Sequence, residues 1–225
     1  ENRQPYFSEW ASSFGPVVGS VPLFFWLFFI GSIYLYFSMN KLFIRKERII
    51  LTVGYVYFLF ALVFSRYASS GILNGTSTFS LIFYISGAVV LVGTFGYCYY
   101  DYHKKGKSHE FIAMDMSLIM LFTLFLLSVV SARGALRTIM MLVPPSAIIV
   151  AYFVVSLIYL AKDLKESTKT FGWIAVIIVC AATVYSGYYF YLQTKGTAES
   201  YIPNTYTQQW QKAMSWVREN TPENA

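Results

Sequence analysis

Charge is scarce in this chain of 225 residues. Only 12% of positions are Asp, Glu, Lys or Arg, about half the share of an ordinary soluble domain. Reactive side chains are few as well: two cysteines, Cys98 and Cys180, and two histidines, His103 and His109. Both cysteines lie in apolar runs and read as buried thiols, with neither a disulfide framework nor metal-ligand spacing. The histidines stand in a basic stretch without partner ligands and read as solvated surface. The chain has no phosphate-binding glycine loop and no Ser/His/Asp set. It has no basic-aromatic groove either, so nucleic acid is not an expected partner. No basic n-region precedes a short apolar run at the start. From Glu1 to the closing ENTPENA the chain reads as an internal piece of a longer protein.

What is present is apolar. Hydrophobic residues make up 56%, aromatics 20%, and mean hydropathy is +0.52. Six apolar runs, at 21–39, 49–65, 78–100, 111–130, 138–160 and 171–192, approach or exceed the roughly 20 residues that span a bilayer. The expected fold is therefore an all-α integral membrane protein with six transmembrane helices over 21–192. Residues 1–20 read as the end of an external loop, with Trp10 and Phe14 as interfacial anchors, and 193–225 as a polar segment.

The basic residues are unevenly placed. The short loops after the first, third and fifth runs hold Lys41, Arg45, Lys46, Arg48, Lys104, Lys105, Lys107, Lys162, Lys165 and Lys169. Dense short loops of this kind face the cytoplasm. Residues 1–20, 66–77, 131–137 and 193–225 then share the outer face. Asn74-Gly75-Thr76 in the second of these segments is an N-glycosylation sequon, with Asn74 the possible acceptor. Asp115 reads as an interfacial carboxylate, and the Tyr-rich span ends read as aromatic belts.

The stretch SARGALRTIMMLVPP at 131–145 puts Arg133 and Arg137 at the mouth of an apolar run, on the side where positive charge is not favoured. Four residues apart on one helix, both guanidinium groups would share a face and could meet one ligand. The competing possibility is that both snorkel to lipid headgroups. Pro144-Pro145 removes backbone donors inside the fifth run, so a kink is expected there. Glu1 supplies a carboxylate on the same face. A carboxylate beside guanidinium groups could hold a divalent cation and a phosphate together, although one acid alone does not establish such a site.

The phrase Trp210-x5-Trp216-Val217-Arg218-x-Asn220-Thr221-Pro222 resembles the junction in catalytic subunits of N-oligosaccharyltransferases. There it follows the last membrane helix and opens a soluble domain, shortly before a WWDYG motif that this chain does not reach. Arg137, seven residues before Pro144, resembles the family's arginine at the outer end of a late helix, and Glu1 resembles the last residue of its external-loop motif. The chain departs from the pattern by two extra spans, so an inserted helical hairpin is expected within 48–110.

The resemblance implies the C-terminal half of a GT-C type membrane domain and transfer of a glycan from a polyprenyl or dolichyl phosphate or pyrophosphate to Asn in Asn-x-Ser/Thr. It also implies Mg2+ or Mn2+ as cofactor, with Glu1 as catalytic metal-binding carboxylate. Arg137 would bind the carrier phosphate, with Arg133 in support although it matches no motif. Lipid-linked oligosaccharide, acceptor polypeptide and membrane lipid would be the partners, in an archaeal-type cell membrane. The alternatives are another polyprenyl-phosphate-dependent glycosyltransferase and a polytopic transporter. Since the upstream acidic motif and the acceptor-reading motif would both lie outside the chain, the isolated 225-residue protein should catalyse no transfer. A glycopeptide assay showing robust turnover by it would contradict the family resemblance.

Overall fold

The computed structural model describes residues 3–18, 20–200 and 207–222, with no side chain described at 167. Two compact units, Glu1–Ser186 and Gly187–Ala225, are taken separately.

In the first unit a short helix α1 (Phe7–Ser13) leads into a two-stranded antiparallel ladder, β1 (Val17–Val18) with β2 (Val21–Pro22). Helices α2 (Leu23–Met39), α3 (Arg45–Phe64), α4 (Thr78–Lys104), α5 (His109–Ile112) and α6 (Met116–Gly134) follow. A 3-10 helix (Leu136–Leu142) then feeds α7 (Val143–Asp163). Helix α8 (Glu166–Ser200) contains the boundary between the units, and α9 (Gln208–Asn220) lies in the second. Among the described residues, five helical segments are long and apolar enough to cross a membrane, and α2, at 17 residues, is a shorter apolar helix. The protein is thus all-α in its long elements and compatible with membrane integration. Val21 and Pro22, expected to open the first span, belong to β2 instead.

Three of the helix starts have a local reason. Ser77 caps α4 by accepting from the Ser80 amide, and Asp115 caps α6 by accepting from the Ser117 amide at 3.0 Å. Asp115 therefore serves as the N-cap of α6. Pro144 and Pro145 occupy the first turn of α7, where the missing amides would have no intrahelical partner. The prolines thus stand where the 3-10 helix gives way to α7, at the start of the α-helix and not in its interior.

Helix α2 lies at the centre, packed against α3, α6 and α7. Its Phe25, Phe28, Leu35 and Tyr36 are buried, and the Tyr36 ring stacks on Tyr55 at 4.5 Å and lies 4.9 Å from Phe122. Trp10 and Phe14 are wholly buried in this core. They are not interfacial anchors: α1 folds inward, and aromatic burial outweighs a place at the headgroups. By contrast α4 presents Ile82, Val89 and Val92 outward, at 61%, 63% and 72% exposure. Such an apolar face is compatible with a membrane environment. At the lysine-rich end, Lys105 pairs with Asp101 at 2.5 Å and Glu47 at 3.8 Å. The Asp101 carboxylate, first among the causes, holds the Lys105 ammonium above its ordinary value.

Helices α3 and α4 approach closely through small residues, as membrane helices do. A Cβ on Gly87 would lie 2.5 Å from the Ala61 Cβ, whereas one on Gly93 would meet nothing within 4 Å. Alanine normally stabilises a helix relative to glycine, so the two sites should separate. Gly87→Ala should lower the stability of the purified protein by roughly 1–3 kcal/mol through overpacking. Gly93→Ala should leave it unchanged or raise it. Unfolding in detergent, followed by circular dichroism, measures both.

Candidate functional site

The corner of interest forms where α3 and α6 end and the N-terminal segment crosses them. The last carbonyls of a helix lack intrahelical donors, and α3 ends beside an arginine from another helix. Arg133 Nε donates to the Leu62 carbonyl at 3.1 Å, and Nη2 donates to Ser65 Oγ at 3.3 Å. A cation at a helix C-terminus also meets the favourable end of the helix dipole. Ser80 Oγ donates to the Ser65 carbonyl, which ties the start of α4 to the same place.

The N-terminal segment is held by backbone and side chain together. The Leu136 amide donates to the Arg3 carbonyl at 2.9 Å, and the Phe7 amide to the Arg66 carbonyl at 3.2 Å. The Phe7 ring packs against Phe25, Phe64 and Tyr67. Glu9 accepts both Arg3 Nη groups, at 2.6 and 3.1 Å, and the Tyr6 amide at 2.8 Å. Its carboxylate is therefore committed.

Gln4 links the two remaining guanidinium groups. Its Oε1 accepts from Arg133 Nη1 at 2.6 Å and from Arg66 Nη1 at 3.4 Å. Arg66 lies over the Tyr6 ring at 4.4 Å, and Arg133 beside the Tyr84 ring at 5.2 Å. Among the described residues no carboxylate pairs with either arginine. Arg133 is only 5% exposed, and Arg66 Nε is buried without a hydrogen-bond partner. A buried charge without a counterion is costly, so this corner carries positive charge that is only partly compensated.

Arg133 and Arg137 do not share a helical face. Helix α6 ends at Gly134, Ala135 is extended (φ −150, ψ 140), and Arg137 belongs to the 3-10 helix. The Leu136 amide is taken by Arg3, not by the helix, and this hydrogen bond accompanies the break. The Arg137 residue is exposed, and its side chain makes no hydrogen bond or ion pair with a described residue. The two arginines thus differ in kind, one a buried cap on α3 and the other an uncommitted surface cation.

Glu1 lies outside the described residues. Among those described, no group of three His, Cys, Asp or Glu side chains comes together to hold a metal ion, so the metal expectation stays with Glu1 and no step is derived through it. Asn74 is half-buried, and its Oδ1 accepts from the Thr76 amide at 2.9 Å and the Ser77 amide at 2.8 Å. The sequon is thus folded into an Asx turn. Gln4, Arg66 and Tyr84 were not singled out by motif. Arg66, a lone cation in a small-residue loop away from the basic loops, was the signal available.

A separate apolar groove of about 610 Å3 is lined by Tyr36, Met39, Phe95, Phe111, Met114 and Phe122. It involves the opposite ends of α2, α4 and α6 from those near the arginine corner. In the second unit, the phrase Trp210–Pro222 forms α9 and its stop. Asn220 Nδ2 donates to the Trp216 carbonyl at 2.8 Å, and the Thr221 amide to the Val217 carbonyl at 3.0 Å. Pro222 then prevents a further turn.

Removing Arg133 strands the end of α3. Arg133→Ala should destabilise the purified protein by about 1.5–3 kcal/mol, the range for hydrogen bonds to a charged group. Arg137→Ala should unfold as the parent does. Thermal unfolding in detergent distinguishes the two variants, and equal losses would contradict the division of roles.

Compared with protein-family models, curated proteins and solved structures, the chain shows no significant match to any of them.

Proposed function

We propose that the chain is part of the membrane domain of an N-oligosaccharyltransferase catalytic subunit. On this proposal α2 also crosses the membrane, as the first of six spans, and the fold is of GT-C type. The arginine corner faces outward, and the α3–α4 pair is the inserted hairpin. The observation that carries the proposal is Arg137. It is exposed and uncommitted, and it stands on a short 3-10 helix seven residues before the proline that begins α7. That is the placement the family resemblance asks of a carrier-phosphate ligand. The ordered helix made by the Trp210–Asn220 phrase, closed by Thr221-Pro222, adds support from the second unit.

The chemistry follows from the leaving group. When the Asn amide nitrogen of an acceptor attacks the first sugar carbon of the lipid-linked glycan, negative charge builds on the departing phosphate or pyrophosphate. A planar guanidinium donates two parallel hydrogen bonds to phosphate oxygens and remains charged at any physiological pH. Its effect on rate comes from charge that grows in the transition state. Arg133 would hold α3 and the N-terminal segment in place while Arg137 meets the carrier. The divalent cation that the resemblance implies would supply further charge at the leaving group.

The test is made in the longer protein proposed to contain this chain. With lipid-linked oligosaccharide and an Asn-x-Thr peptide, Arg137→Ala should lower glycopeptide formation by roughly 100-fold or more, with expression unchanged. Full transfer by that variant would overturn the role of Arg137. Absence of transfer by the parent, together with solute flux in vesicles, would favour a transporter.

A further inference from the structure

We propose that Arg66 and Arg133 form a second anion site, distinct from Arg137, in which the Gln4 carboxamide oxygen occupies the place of a phosphate oxygen. Two guanidinium groups converge on one neutral acceptor, at 2.6 and 3.4 Å. Neither has a carboxylate partner among the described residues. The C-terminus of α3 offsets only about half of one charge. Ser65 and Leu62 contribute acceptors but no further formal charge. Arg66 Nε is buried and still lacks an acceptor. Tyr6 and Tyr84 lie against the guanidinium groups. Contacts of this kind take up the faces of the cations and leave their N–H edges for an anion.

Access depends on one side chain. Arg133 is 95% buried, as its 5% exposure implies, yet Gln4, which contacts it, is itself exposed. Swinging the Gln4 side chain away would free the Nη1 donor of each guanidinium group while Arg133 keeps its hydrogen bonds to Leu62 and Ser65. A phosphate-class oxyanion has enough oxygens to take both Nη1 donors and brings the negative charge that a neutral amide oxygen lacks. The ligand class is therefore a phosphate group, carried either by a soluble compound or by a lipid headgroup. The site stands on its own geometry and does not depend on the transferase proposal.

Two substitutions at the exposed Gln4 should move the protein in opposite directions. Gln4→Glu supplies a tethered anion: the thermal midpoint should rise without added ligand, and apparent affinity for pyrophosphate should fall at least tenfold. Gln4→Ala removes the stand-in: the midpoint should fall, and pyrophosphate should restore it. The experiment uses the full chain in neutral detergent, titrated with inorganic phosphate and pyrophosphate. A second arm uses bilayers of phosphatidylcholine with or without phosphatidylglycerol. Stabilisation by soluble phosphates supports a soluble source, and stabilisation by phosphatidylglycerol alone supports a lipid headgroup. If neither anion stabilises the parent, or if Gln4→Glu leaves both midpoint and affinity unchanged, the site is refuted. That outcome leaves the Arg137 transfer assay untouched, so the two proposals fail separately.

Discussion

A guanidinium group set among apolar helices must find oxygen, and Arg133 finds it at the end of another helix. Its hydrogen bond to the Leu62 carbonyl satisfies a helix terminus and partly offsets its own charge. Much of the local architecture hangs on that contact. Ser65 and Ser80 connect it to α4, Gln4 connects it to the N-terminal segment, and Leu136 turns from α6 toward the Arg3 carbonyl. An arginine that would be unfavourable on a lone helix becomes the joint between three helical elements and a strap.

The second constraint is the apolar surround. Where water is absent, backbone groups must be satisfied within the segment, and long helices are the simple solution. The packing of this protein shows two solutions to burying such helices. Around α2, interlocked rings such as Tyr36, Tyr55 and Phe122 fill the interior. Between α3 and α4, glycine and alanine let the backbones approach instead. The outward faces of α4 and α8 remain rich in Ile and Val, such as Val92 and Ile177, as a lipid-facing surface requires.

Long apolar runs were legible because hydrophobicity and length fix them with little help from neighbours. Most helix positions follow from that, although Val21 and Pro22 show that an apolar residue can belong to a short ladder before the helix starts. Residues near chain reversals were less legible. Pro144 and Pro145 fit either a kink or a helix start by composition, and the 3-10 helix ahead of them decides for the start. The spacing of Arg133 and Arg137 implies a shared face only if the helix continues, and Ala135 interrupts it. Gln4 carries no sequence signal at all: its importance comes from tertiary placement between residues 62 and 129 positions away along the chain.

The central functional claim is that this stretch belongs to a glycan-transferring enzyme whose remaining motifs flank it. Sequencing the reading frame on both sides tests that claim most directly. On the proposed function, WWDYG follows within a few tens of residues after Ala225 and an acidic external-loop motif lies upstream of Glu1. A frame that opens with methionine just before Glu1 and closes just after Ala225 would contradict it.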